Sequence, residues 1–251
     1  MKEIRYAVLV GMNNYKTNPL SYSVKDVNDV KKVLLEYCKF EERNIFAITN
    51  SEKPVVSQIQ EALGEVQCRL QPKNDLLLFY YSGHGEYDNE EEKSLLYFED
   101  ETSLGVGDVV SNYFQPLEAK NNYLMIDACH SGNNVYVKSK HNNRKIERKL
   151  LNDSRELYFL FAAEENKKAF QNDNLQNSYY TYYFIDAIKN EKLYDDNGWL
   201  TMSSIDEHIR KKISSHKDVI QIPGSESRLI GYKPFAFLNQ PGPRTTEKVV
   251  T

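Results

Sequence analysis

At 251 residues, 40% of them hydrophobic and 27% charged, the chain has enough apolar material for one large core, and one domain fits better than two small ones. A net charge of -4 gives no general reason to expect nucleic acid or a membrane surface as partner. The longest apolar runs are too short to cross a bilayer and the N-terminus lacks a signal-peptide pattern, so a cytoplasmic protein is expected.

Short apolar runs alternate with amphipathic stretches. Tyr6 to Val10 reads as a strand, Val24 to Cys38 as a helix, Ile45 to Thr49 as a strand and Val55 to Leu70 as a helix, a βαβα order. The run Leu76 to Tyr81 follows as a strand, then a strand at Leu95 to Phe98, a helical stretch around Val109 to Pro116, and the strand Tyr123 to Ile126. Beyond a polar segment come a strand at Leu157 to Ala163 and helices near Ser178 to Lys189 and Ser203 to Ile213. These predict an α/β protein with a mostly parallel six-stranded sheet and helices on both faces. No repeat period or low-complexity tract is present, and the tail 239–251, with two prolines and several polar residues, is expected to be flexible.

Two of the apolar runs end on reactive side chains. Leu76 to Tyr81 closes on Ser82-Gly83-His84-Gly85, and Tyr123 to Ile126 closes on Asp127-Ala128-Cys129-His130-Ser131-Gly132. Parallel sheets build their sites at the C-terminal ends of strands. A lone Cys is usually a small buried hydrophobe, and a glycine-flanked His is often only a turn. Together they read as nucleophile and base, because a thiol is only a few per cent ionised at neutral pH until an imidazole takes its proton. His130 reads as structural, since adjacent side chains at a strand end point apart. His141, His208 and His216 show no ligand spacing and read as exposed or packed histidines. Cys38 and Cys68 fall at helix ends and read as ordinary thiols; with Cys129 they match neither a disulfide framework nor a zinc site, and no metal site is predicted.

These strings resemble the caspase-like cysteine peptidases, and the metacaspase and paracaspase branch more than the animal caspases. The caspase signature has Gln-Ala-Cys with the His about 50 residues upstream. Here Asp127 stands in place of the Gln, and His130-Ser131-Gly132 follows the Cys. The resemblance runs from about Arg5 to Leu238: Phe159 to Ala163 is similar to the family's fifth strand, Tyr179 to Ile188 to the next helix, and Gln221-Ile222-Pro223 to a late turn. It implies a caspase-like three-layer sandwich and a single peptidase domain over 1–238. Within it, 1–132 would be large-subunit-like, 133–155 a basic linker and 156–238 small-subunit-like.

The resemblance also implies roles. His84 would be the acid and base, Cys129 the nucleophile, and the backbone N–H groups of Gly85 and Cys129 the oxyanion donors. The pocket for the residue before the scissile bond would be formed by Asp26, Ser82 and Asp127, with cleavage after Arg or Lys, because carboxylates make charge-assisted contacts with a guanidinium or ammonium. Asp26 has a second reading, an early-helix acid favoured by the dipole, and its neighbourhood lacks the Gly-Cys that the family usually shows there. A carboxylate at 127, beside the nucleophile, is costly without a cationic partner.

The segment from Asn133 to Asp153 carries Lys138, Lys140, Arg144, Lys145, Arg148 and Lys149, which reads either as a self-cleavage loop or as a solvated charge run. Some relatives need calcium, and Asp88, Glu90, Glu91, Glu92, Glu99, Asp100 and Glu101 form an acidic neighbourhood, but without EF-hand spacing; no cofactor is expected, with calcium as the option left open. The leading expectation is a cysteine endopeptidase acting on protein or peptide substrates, with any regulatory partner protein supplied separately. A catalytically silent caspase-like scaffold is the alternative. A small-molecule hydrolase is weakened by the lack of a Walker or dinucleotide glycine pattern.

Overall fold

The computed structural model describes residues 2–88, 90, 91, 93–128, 157–162, 171–216, 221–227, 229, 231 and 233–238. In chain order these form β1 (Arg5–Gly11), α1 (Ser23–Tyr37), β2 (Ile45–Ile48), α2 (Val55–Arg69), β3 (Leu76–Ser82), β4 (His84–Asp88), β5 (Lys93–Tyr97) and β6 (Ser103–Gly105). A helical stretch follows as α3 (Val106–Val109), a π-turn (Val110–Phe114) and α4 (Gln115–Leu117). Then come β7 (Asn121–Asp127), β8 (Leu157–Phe161), the short strands β9 (Gln171–Asn172) and β10 (Asn177–Ser178), α5 (Tyr179–Lys189), β11 (Trp199–Thr201), α6 (Met202–Ser214), β12 (Gly224–Ser227) and β13 (Pro234–Phe237).

The central sheet has six strands in the order β12-β8-β7-β3-β1-β2. The five from β2 to β8 run parallel, and β12 adds antiparallel at the edge. Every residue of β1, β3 and β7 is buried, because helices cover both faces. The period-two alternation divides each strand between two cores. From β3, Leu77, Phe79 and Tyr81 pack with Val55, Ile59 and Val66 of α2, whereas Leu76, Leu78 and Tyr80 pack with Val30 and Val33 of α1, Phe184 of α5 and Ile209 of α6.

The predicted α/β class and the mostly parallel six-stranded sheet are both present. Membership of the sheet differs in one place. The apolar run Leu95 to Phe98 lies in a separate antiparallel sheet, β4-β5-β6, and the sixth strand of the central sheet is instead Gly-Ser-Glu-Ser at 224–227. An edge strand buries little of itself, so its sequence carries no apolar alternation to announce it.

Helix starts fix the ends of the elements near the site. Ser178 caps α5 by accepting from the Thr181 N–H at 3.0 Å, and Thr201 caps α6 by accepting from the Ser204 N–H at 3.2 Å. For α2 the acceptor comes from a distant segment: Asp100 Oδ2 takes the Val55 N–H at 2.7 Å.

Candidate active site

The register across the sheet places at one end the two strand ends that lead to His84 and to Cys129. Ser82, the last residue of β3, pairs with Asp127, the last residue of β7. The Gly83 N–H then donates to the Asp127 carbonyl at 3.2 Å, and His84 opens β4. Cys129 itself lies outside the described residues, as do His130, His141, the basic positions from Lys138 to Lys149, and Glu92 of the acidic neighbourhood. The described residues of this segment stop at the buried Ala128, one residue beyond β7 and one short of Cys129, at the sheet end that carries His84.

Two tyrosines hold the turn that presents the imidazole. The Tyr81 hydroxyl donates to the His84 carbonyl at 2.7 Å, and the Tyr15 hydroxyl accepts from the His84 N–H at 3.2 Å. Gly83 is needed between them. A Cβ there would lie 2.3 Å from Tyr81 Oη and 2.5 Å from Tyr15 Oη. The imidazole stands edge-on to the Tyr15 ring, with centroids 4.4 Å apart.

The ring orientation follows from a single contact. His84 Nε2 is 2.7 Å from the carbonyl oxygen of Asn18. A carbonyl only accepts, so Nε2 carries a hydrogen and Nδ1 is the nitrogen whose lone pair can take a proton. Asn18 reaches this position with φ of 53°, a left-handed conformation that asparagine tolerates better than most residues. Sequence reasoning missed Asn18 and Tyr15, because the group that acts is in one case a backbone carbonyl.

The three residues expected to shape the substrate pocket are brought together. Ser82 Oγ donates to Asp26 Oδ2 at 2.9 Å, and Asp26 Oδ1 accepts from Asn177 Nδ2 at 2.8 Å and from the Ser178 N–H at 3.2 Å. Asp127 Oδ2 accepts from Thr181 Oγ1 at 2.6 Å, from the Thr181 N–H at 3.2 Å, and from the Ser178 hydroxyl in a short contact. Asp127 Oδ1 is buried without a hydrogen-bond partner among the described residues. Asp26, Ser82 and Asp127 are 0%, 2% and 3% exposed. Asp26 is therefore no ordinary surface acid of a first helical turn.

Two buried carboxyl groups share this site without a cation bonded to either among the described residues. Desolvation, reinforced by the Asp127 charge, raises Asp26 to about 7, and desolvation raises Asp127 to about 6 against the donors from Ser178 and Thr181. Asn177, Ser178 and Thr181 were not foreseen as site residues. The signal for them was a helix start, Ser178 with a hydroxyl-bearing residue three positions on, which reads equally well as a plain cap.

The remaining candidates are accounted for as follows. Gly85 lies in β4, paired with Leu96. His208 Nε2 contacts Asp186 Oδ2 at 2.7 Å and His216 Nε2 contacts the Tyr183 hydroxyl at 2.5 Å, so both are packed histidines. Cys38 is buried, with burial pushing its thiol up to about 12, and Cys68 is exposed; both are free thiols. Of the acids, Glu99 binds Ser51 and the Asn14 N–H, Asp100 caps α2, and Glu101 pairs with Lys16. Among the described residues no three His, Cys, Asp or Glu side chains converge as metal ligands, and no helix is long and apolar enough to cross a membrane.

This is an α/β protein with a histidine and a pair of buried carboxyl groups gathered where the parallel strands terminate, beside the strand that leads to a cysteine. The caspase domain model of the C14 peptidases matches residues 4–232, and the chain belongs to that family of cysteine peptidases. Metacaspase-1 of Candida glabrata is 28% identical over 145 residues, which cover 51% of this chain and 37% of that protein. The match thus spans less than half of the curated relative's length. Among solved structures, caspase-1 of Spodoptera frugiperda superposes with a TM-score of 0.63 at 14% identity, covering 91% of this chain and 88% of that one. The Drosophila initiator caspase Dronc gives 0.62 at 13% identity, covering 89% and 79%. A protein of Geobacter sulfurreducens gives 0.64 at 15% identity, covering 91% and 95%. At these identities the superpositions establish the caspase fold.

Proposed function

We propose that this chain is a cysteine endopeptidase that uses Cys129 and His84 to cleave proteins after Arg or Lys. The observation that carries the reading is the His84–Asn18 contact, which leaves Nδ1 as the basic nitrogen at the sheet end where the strand to Cys129 terminates. In the reaction the Cys129 thiol passes its proton to His84 Nδ1 and the sulfur attacks the carbonyl carbon before the scissile bond. The oxyanion takes hydrogen bonds from the backbone N–H groups of Gly85 and Cys129. His84 then protonates the leaving nitrogen as the C–N bond breaks, leaving a thioester. Water attacks that thioester, its proton returning through His84, and the carboxylic acid product and the thiol are released.

The carboxyl pair supports basic selectivity. Asp26 and Asp127 are buried and short of a cation, and Asp127 keeps an unused acceptor oxygen, so an incoming guanidinium or ammonium supplies the charge that the site lacks. The loop from Asn133 to Asp153 is the proposed self-cleavage segment, its basic residues suiting the same pocket. Intact-mass measurement should then show two fragments meeting in that loop for the wild type and one species for Cys129→Ala. No step uses a metal, and EGTA is expected to leave the rate within about twofold. The free thiols Cys38 and Cys68 suit a reducing compartment such as the cytoplasm.

A positional peptide library tests the reading. Cleavage after Arg or Lys should exceed cleavage after Asp by at least ~100-fold, because an unpaired like charge in the pocket costs several kcal/mol. A profile peaking at Asp, Leu or Asn overturns the acidic pocket. Absence of any cleavage difference between wild type and Cys129→Ala overturns the peptidase in favour of a scaffold.

A further inference from the structure

At the opposite end of the sheet, where the strands begin, lies a cavity of about 550 Å³ lined by residues 2–5, 39, 41, 44, 120, 121, 231, 233, 234 and 237. The volume is in the range of small-molecule sites, about 300–1,000 Å³. Its charge runs against that of the whole protein. Lys2, Arg5, Lys39, Lys120 and Lys233 line it against only Glu3 and Glu41, in a chain of net charge -4.

Both acids are already committed. Glu3 pairs with Arg5 at 2.8 Å and Glu41 with Arg43 at 2.8 Å. Arg5 is committed too, since its guanidinium donates to the carbonyls of Cys38, Phe235 and Pro234. Lys233 has an interaction of its own, so three ammonium groups remain. Those of Lys2, Lys39 and Lys120 form no ion pair or hydrogen bond among the described residues. Lys39 is exposed, with its Nζ 3.4 Å from the centroid of the Phe237 ring and its backbone in the left-handed region at φ of 56°. Desolvation and the charges of Arg5 and Lys2 push the Lys39 ammonium down, which is the repulsion an anion would relieve.

We propose that the cavity binds a compound carrying two or more phosphoryl groups, held by Lys2, Lys39 and Lys120. Separate ammonium groups act as point charges that suit phosphoryl oxygens distributed over a chain, whereas a lone carboxylate is best matched by the planar fork of an arginine, and Arg5 has no fork left to offer.

Calorimetric titration of the full chain, in the Cys129→Ala form to prevent self-cleavage, tests this with orthophosphate, inorganic tripolyphosphate and ATP. Tripolyphosphate and ATP should saturate one site per chain, with affinity falling as salt rises, and orthophosphate should bind at least ~10-fold more weakly. Lys39→Gln/Lys120→Gln should weaken tripolyphosphate by ~10-fold or more. Lys2→Gln/Lys120→Gln should do the same without disturbing the Lys39–Phe237 contact, and Lys211→Gln/Lys212→Gln on α6 should leave binding unchanged. ATP binding more tightly than tripolyphosphate would assign the site to an organic phosphate, and equal binding to an inorganic chain. Absence of saturable binding, binding that survives both cavity variants, or binding lost equally in the α6 variant overturns the proposal.

Discussion

Replacing Asp127 with asparagine should make the protein more stable and less active. The structure gives the reason for both signs. Asp127 is 3% exposed and its carboxyl group is raised from 3.8 to about 6, chiefly by desolvation. A carboxyl group whose folded value lies above its unfolded value holds an extra proton in the folded state. Stability from this group is therefore greatest at low pH and is lost as pH rises from about 4 through 6. A shift of about two units corresponds to about 3 kcal/mol above pH 7, an upper figure because Asp26 titrates with it.

Asparagine removes this penalty while keeping the geometry. Its oxygen can take the place of Oδ2 and accept from the Thr181 N–H and the hydroxyls of Ser178 and Thr181, with its nitrogen in the place of Oδ1. In a Cys129→Ala background, urea denaturation should show Asp127→Asn gaining on its parent by about 1–2 kcal/mol between pH 5 and pH 8. In the active background kcat/KM for Arg and Lys peptides should fall by ~100- to 1,000-fold, the loss of a charge from a desolvated pair. A variant that is less stable at pH 8 than at pH 5 relative to its parent, and that turns over Arg peptides normally, would show that Asp127 is only a hydrogen-bond acceptor at a helix start.

Other outcomes follow from single environments. Iodoacetamide on native protein should modify Cys129 quickly, Cys68 slowly and Cys38 hardly at all, since Cys38 is buried with its thiol pushed up to about 12; peptide mass mapping reads the order. Gly83→Ala should lower stability by about 1–3 kcal/mol and depress activity, because the added methyl meets the Tyr81 and Tyr15 hydroxyls that hold the His84 turn. Thermal melts and peptide turnover of that variant check it, and a variant that matches wild type in both would remove the turn from the account.

The parallel strands were legible because strands buried on both faces write themselves as continuous apolar runs, as Leu76 to Tyr81 and Tyr123 to Ile126 do. The same runs cannot say which sheet a strand joins, and so Leu95 to Phe98 was counted with the central sheet while Gly224 to Ser227 went unseen. At the site, His84, Asp26, Ser82 and Asp127 were legible through their flanking strings. Asn177, Ser178 and Thr181 were not, because their contacts with Asp26 and Asp127 close only when α5 packs beside α1, far away in sequence. The Asn18 carbonyl had no side-chain signature at all. The cavity at the foot of the sheet gathers lysines from four separated segments, none of which forms a charge run by itself.

The central claim, a Cys129/His84 dyad beside an acidic pocket, is tested most directly by covalent labelling with acyloxymethyl-ketone peptides that differ only in their last residue. The account predicts that the Arg probe modifies Cys129 in the wild type at least ~100-fold faster than the Asp probe. His84→Ala should slow the Arg probe by ~100-fold or more, the usual worth of a positioned general base. Labelling of Cys129 at the wild-type rate in His84→Ala, or equal rates for the two probes, would contradict it.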